Sequence, residues 1–361
     1  MIVFLFIAGL LLLTIGADVL VRGASSLASA VGISPLVVGL TVVAFGTSAP
    51  EAAVSVQAIL SGGNGADLAF GNIVGSNIFN ILFILGLSAI IAPLLVAQQL
   101  VRVEVPILIA VSLLLLVFGL DGSIGRMNGL ILFGGVIAYT VFVIRQSRKE
   151  SAEIQEEYAG KYAESPEHHG SIIVKLLMIA AGLAMLVLGS NWLVDGAIAV
   201  ARVLGLSELV IGLTIVAAGT SLPEVATSVM ASIKGERDIA VGNVVGSCLF
   251  NILAVLGLAA IVAPDGVNVA TSAVRFDIPV MIAATIACLP IFLTGYTIAR
   301  WEGMVFFGYY IAYTAYLIMS AAEHDALDTF NLAITWFVAP LTVITLLVTT
   351  TRHFRRNHRS L

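Results

Sequence analysis

Two carboxylates in the 361-residue chain stand where apolar sequence makes them costly. Glu51 closes "GTSAPE" and Glu224 closes "GTSLPE", each at the end of a long hydrophobic run. A carboxylate near the middle of a membrane span costs about 2.5–3.5 kcal/mol on insertion scales, so it persists where it faces a cavity, a partner or an ion. The same phrase twice, with both acids, points to a shared cation. Pro50 and Pro223 each lack an amide donor, and Gly46 and Gly219 weaken the preceding turn, so a helix interruption is expected at both places. An interruption frees backbone carbonyls. Carbonyls of Ala44, Thr47, Ala217 and Thr220, with hydroxyls of Thr47, Ser48, Thr220 and Ser221, are the hard oxygen ligands that Ca²⁺ and Na⁺ require. Downstream, "GNIVGSNIFN" and "GNVVGSCLFN" add a second polar patch. In it, Ser76 and Asn80, like Ser247 and Asn251, are four apart and share a helix face.

Every other polar feature has a plainer reading. Gly71 with Gly75 and Gly242 with Gly246 have the small-xxx-small spacing of membrane-helix packing grooves. Asn72 and Asn243 are as consistent with bonds between helices as with ligation. Asp67 and Asp238 begin apolar runs and suit helix N-termini. Arg102 with Glu104 and Arg275 with Asp277 are expected at membrane interfaces. Cys248 and Cys288 lie in apolar runs without metal-type spacing, and the five histidines are scattered over loops and tail, so neither type is assigned chemistry.

The elements that must position these residues are membrane spans. A chain with 59% hydrophobic and 11% charged residues is a polytopic membrane protein rather than a soluble domain, and no basic stripe suggests nucleic acid. The apolar start lacks a basic flank and a small-residue cleavage site, so it reads as a first span and not a signal peptide. With about 20 residues needed per crossing, punctuation gives spans near 2–20, 35–60, 67–92, 104–120 and 127–146. A second set follows near 172–193, 208–233, 239–263, 277–295 and 302–320, with one more near 332–350.

The two sets are copies. The stretch from Gly16 through "GTSAPE" aligns with that from Gly189 through "GTSLPE" at an offset of 173, and "LAFGNIVGSNIFNILFILGL" aligns with "IAVGNVVGSCLFNILAVLGL" at 171. Residues 1–147 and 172–320 are thus internal repeats. Five spans per repeat is odd, so the second repeat is inverted. The predicted fold class is an all-α polytopic membrane protein of two inverted five-helix repeats, with ten core transmembrane helices and an extra C-terminal helix. The linker 148–171 is charged and solvated. If it is cytoplasmic, 14 of the 17 Lys and Arg fall on the inside. The eleventh span, within 321–361, then returns the basic tail to the cytoplasm.

The paired "GTSAPE … GNIVGSNIFN" and "GTSLPE … GNVVGSCLFN" segments resemble the two alpha-repeats of the calcium/cation antiporter superfamily, in its prokaryotic sodium/calcium exchanger branch. The resemblance spans residues 1–320 and implies discontinuous second, third, seventh and eighth spans around a four-site midplane cation cluster. It implies that Glu51, Glu224, Thr47 and Thr220 ligate Ca²⁺. It also implies that Ala44, Ser48, Ser76, Ala217, Ser221 and Ser247 complete flanking Na⁺ sites, with Asn80 and Asn251 lining the centre. Some sodium/calcium members carry Asp at the place of Asn251, whereas here both central positions are Asn. Glu51 and Glu224 are left as the only carboxylates of the cluster.

The expectation is a secondary antiporter that exchanges Ca²⁺ for Na⁺ by alternating access in the cell (inner) membrane. Its substrates are ions, and neither a cofactor nor covalent chemistry is involved. Exchange against H⁺ or with K⁺ is the alternative within this class. A cation channel and an intramembrane hydrolase are the alternatives outside it. The eleventh span is open to roles in anchoring or in a homo-oligomer contact.

Overall fold

The computed structural model describes residues 2–62, 65–162, 171–203, 217–322, 324 and 326–357. Among the described residues ten helices are long and apolar enough to cross a membrane. The seventh span of the sequence reading is not among these ten, because residues 204–216 lie outside the described residues and the span is described from Ala217 to Lys234. Its described part follows the sixth span in the order read from the sequence. Gly62 (φ 73°) and Gly235 (φ 78°) end the second and seventh spans at equivalent places, using the conformational freedom of glycine.

The first span runs Ile2–Val31, well beyond the apolar stretch ending near residue 20. The charged and polar groups at the start of this extension are paired. Arg22 Nε lies 2.9 Å from Asp18 Oδ2 one turn away, and Lys234 pairs with the same carboxylate. Ser25 donates to Glu236 at 3.1 Å. These contacts tie the first span to the turn between the seventh and eighth. The fifth span continues as one helix from Arg126 to Tyr162, carrying helical structure into the charged linker, of which 163–170 lie outside the described residues.

The first and sixth spans pack backbone to backbone along glycines seven apart. A Cβ on Gly9 would stand 2.7 Å from the Gly189 carbonyl, and one on Gly182 would stand 2.9 Å from the Gly16 carbonyl. Without water to drive apolar association, such close approach is a main source of cohesion between membrane helices. The two repeats also exchange loop strands. Leu94–Leu95 pairs antiparallel with Thr297–Ile298, and Ser123–Ile124 pairs with Val267–Asn268. Each pairing joins loops that an alternating path through the bilayer puts on one side.

Burial locates the centre. The windows of the third and eighth spans are 78% and 83% buried, against 28% for the sixth and 11% for the tenth. The outer spans expose large apolar side chains such as Ile7, Leu11, Leu130 and Leu177 toward lipid. The eleventh span (Leu327–Ala333, a π segment Ile334–Val338 and Ala339–Asn357) packs at the periphery of the bundle against the tenth. There Tyr309 donates to Thr342 at 2.7 Å.

Candidate cation site

The second span is not one regular helix. A π segment, Gly39–Val43, leads into Ala44–Thr47, the chain turns at Ser48 (φ −82°, ψ 2°), and a new helix runs Ala49–Ser61 with Pro50 in its first turn. The seventh span repeats this, with Ala217–Gly219, a turn at Ser221 (φ −92°, ψ 8°) and Leu222–Lys234. Proline fits a first turn, where its missing N–H would have no partner anyway. The expected interruption is therefore present in both copies. Pro223 has no N–H for the Gly219 carbonyl, and Ser190 of the sixth span donates to that oxygen instead, at 2.7 Å. Glu51 and Glu224 fall in the first turn of the new helices, the end whose dipole favours negative charge.

The third and eighth spans are continuous where the resemblance implied breaks. Each changes winding, to a π segment over Phe79–Leu85 and over Asn251–Leu256. Such segments gather at functional sites and re-aim the side chains they carry. Asn80 and Asn251 stand at their starts.

The four spans interlock through reciprocal bonds between the repeats. Ser221 donates to Glu51 Oε1 at 2.9 Å, and Ser48 donates to Glu224 Oε1 at 3.3 Å. Thr47 donates to Asn243 Oδ1 at 3.1 Å, and Thr220 donates to Asn72 Oδ1 at 3.2 Å. Ser76 lies 3.2 Å from the Ser221 hydroxyl, and Ser247 lies 3.5 Å from that of Thr47. The Ala44 carbonyl faces Thr47 Oγ1 at 3.4 Å. Ala217 begins the short helix before the seventh-span turn. The two glutamates, Thr47, Ser48, Ser76, Asn80, Ser221, Ser247 and Asn251 are all buried, and Thr220 is half-buried.

The polar atoms left without partners are informative. Among the described residues, Glu51 Oε2, Glu224 Oε2, both amide atoms of Asn80 and Asn251 Oδ1 are buried and make no hydrogen bond. Buried polar atoms are almost always paired. Two carboxylate oxygens and two amide oxygens, against the one amide nitrogen of Asn80, form an acceptor-rich centre, which suits a hard cation.

Asn72 and Asn243 resolve toward structure. Each accepts from the other repeat's threonine and spends its Nδ2 on its own repeat, Asn72 on Ser55 at 3.1 Å and Asn243 on Ser228 at 2.9 Å. Ser55 and Ser228 were not singled out in the sequence, although each lies four residues after a glutamate and so on its face. Asn77 was also missed, because its counterpart in the second repeat is Cys248. Gly242 and Gly246 pack on the second span, where a Cβ would meet the Leu36 and Leu40 carbonyls at 3.0 and 2.7 Å. The equivalent neighbours of Gly71 and Gly75 lie outside the described residues.

Glu104, expected at a membrane interface, points into the protein. Its side chain is fully buried, accepting from Tyr139 at 2.7 Å and from Gln99 at 2.9 Å. Asp277 is half-buried and accepts from Tyr313 at 2.9 Å. Both repeats thus place a carboxylate against a tyrosine of the following span. Asp67 and Asp238 sit in the first turns of their helices as expected, and Asp67 also accepts from Asn268.

The family described as sodium/calcium exchanger protein matches residues 1–145 and 174–319, covering both repeats. The chain belongs to this family. Among relatives in the exchanger family, a putative antiporter, CaxA, of Alkalimonas amylolytica is 43% identical over 78% of this chain and 87% of its own length. The sodium/calcium exchanger MaX1 of Methanosarcina acetivorans is 31% identical over 87% of this chain and 97% of its own. A solved structure of the sodium-calcium exchanger NCX_Mj, soaked with Na⁺ and Ca²⁺, superposes with a TM-score of 0.74 at 30% identity, covering 87% of this chain and 97% of that one.

Proposed function

We propose that this exchanger-family chain carries Ca²⁺ in one direction and Na⁺ in the other, through a single centre between its inverted repeats. One observation carries the reading. Glu51 and Glu224, buried and related by the repeat, each bond a serine of the opposite half through one oxygen and keep the other free. One Ca²⁺ neutralises that pair, and two Na⁺ do the same. A third Na⁺ would leave a net positive charge, and moving it would couple transport to voltage by about 2.3 kcal/mol per charge per 100 mV. The names of MaX1 and NCX_Mj support this choice of ions.

In this reading Glu51, Glu224, Thr47 and Thr220 hold Ca²⁺. Ser48, Ser76, Ser221 and Ser247 with the Ala44 and Ala217 carbonyls hold flanking Na⁺, and Asn80 and Asn251 line the centre. The halves exchange conformations around this fixed site, so access alternates. The repeats occupy 1–147 and 172–320, joined by the linker 148–171, and 321–361 adds the last span and tail. The linker and basic tail face the cytoplasm and the protein sits in the cell membrane, as the charge distribution favours.

The test is uptake of radioactive Ca²⁺ into proteoliposomes loaded with Na⁺ or choline, with K⁺ and a pH gradient varied separately. Dependence on internal Na⁺ supports the proposal. Uptake driven by the proton gradient alone replaces Na⁺ with H⁺ and refutes the counter-ion.

A further inference from the structure

Asn80 and Asn251 occupy equivalent positions in the two repeats but differ in what surrounds them. Asn251 Nδ2 donates to Asn77 Oδ1 at 3.2 Å, and Asn77 Nδ2 donates to the Cys248 backbone carbonyl at 3.3 Å and to Met281 Sδ at 3.6 Å. Asn77 is 1% exposed and Asn251 is fully buried. The polarity of this chain of bonds is forced from one end. A backbone carbonyl can only accept, so Asn77 must turn its Nδ2 toward Cys248. Its Oδ1 is thereby turned toward Asn251. Asn251 must answer with its Nδ2, which leaves its Oδ1 as the free end, buried and without a partner. The first repeat repeats this arrangement only weakly, because the residue equivalent to Asn77 is Cys248, whose thiol stands against the Asn80 side chain but is a weak donor and a weak acceptor.

We propose that Asn77 is the positioning residue that locks the Asn251 amide with its oxygen toward the cation. In this way it makes the second repeat's half of the centre a fixed ligand, while Asn80 has only the weaker Cys248 thiol to orient it. The inference rests on the cation centre proposed above. It assigns Asn77 no contact with the ion. Its effect is transmitted through the neighbouring amide, as outer-shell partners orient ligands in other metal sites.

A double-mutant cycle tests it with a readout that packing alone does not move. An aspartate at position 251 presents oxygen in either orientation, so in an Asn251→Asp background the amide lock has nothing to orient. Purified full-length protein is melted in detergent against Ca²⁺, Na⁺ and K⁺, and the cation that shifts wild type most is titrated for an apparent Kd. Asn77→Leu is expected to raise that Kd about tenfold in the wild-type background, the lower end of typical outer-shell effects. In Asn251→Asp the rise should shrink to within about twofold. No rise in the wild-type background, or the same factor in both backgrounds, overturns the proposal. Should Asn77→Leu elute as aggregate, Asn77→Ser, which is smaller and too short to reach Asn251, carries the same cycle. A wild type that answers only to K⁺ refutes the Ca²⁺/Na⁺ reading while the cycle is still read with K⁺, and one that answers to no cation overturns both.

Discussion

Replacing Glu51 by Gln should act in opposite directions on cation binding and on the stability of the empty protein. Gln keeps the shape of the side chain and an oxygen that can accept from Ser221, whose hydroxyl stands 2.9 Å from Glu51 Oε1. What disappears is one of two negative charges, both on side chains with no exposed surface. Removing one partner of a buried charge interaction costs about 3–5 kcal/mol. At about 1.4 kcal/mol per decade this weakens Ca²⁺ binding about 100- to 4,000-fold. Glu224→Gln should lose a comparable amount, because its carboxylate is equally buried and is held by the equivalent serine, Ser48. Without cation the sign reverses. The pair of buried carboxylates then has no counter-charge, so neutralising one relieves repulsion and desolvation, and the melting temperature in cation-free detergent should rise. Wild type and both variants are compared by radioactive Ca²⁺ uptake and by melting with and without Ca²⁺. Uptake in either variant within about threefold of wild type would refute the charge-pair argument. So would a variant whose cation-free melting temperature falls while Ca²⁺ still stabilises it as in wild type.

Protons compete with cations for the same carboxylate oxygens, so Ca²⁺ uptake should decline as pH is lowered; a flat profile between about pH 5 and 8, a range bracketing ordinary and buried carboxylate behaviour, would count against that competition. Gly189→Val should disrupt the packing of the first and sixth spans, since a Cβ there stands 2.8 Å from both the Gly9 carbonyl and the Leu13 amide. Overpacking of this kind costs about 1–3 kcal/mol or more and is read as a lower melting temperature, with Gly134→Ala, an exposed position with open space, as the unaffected control. Tyr139→Phe removes a 2.7 Å bond from fully buried Glu104 and should destabilise by about 1–3 kcal/mol. Tyr313→Phe should cost less, because half-buried Asp277 can recover the bond from solvent, and equal losses in melting would refute the role assigned to burial.

What the sequence made legible follows from the duplication. Two copies of a proline-flanked glutamate located both helix interruptions, because proline's missing donor acts within one turn and needs no tertiary information. The same duplication pointed to a shared centre for the two glutamates, whereas the reciprocal serine and threonine bonds around it came from the structure. Three features stayed hidden for physical reasons. The pairing of Asp18 in the first span with Lys234, more than 200 positions away, cannot be read from local sequence. The burial of Glu104 against Tyr139 of the next span is a tertiary contact that a charge beside an arginine does not announce. Asn77 stayed hidden because it breaks the symmetry that made the other residues visible. A search by repetition discards a position where Asn faces Cys, yet an inverted duplication that carries ions of unlike charge has reason to differ there. Two identical asparagine ligands, each free to flip, would leave the central oxygen count unfixed. Anchoring one of them through the Cys248 carbonyl sets it without adding a third carboxylate to the centre.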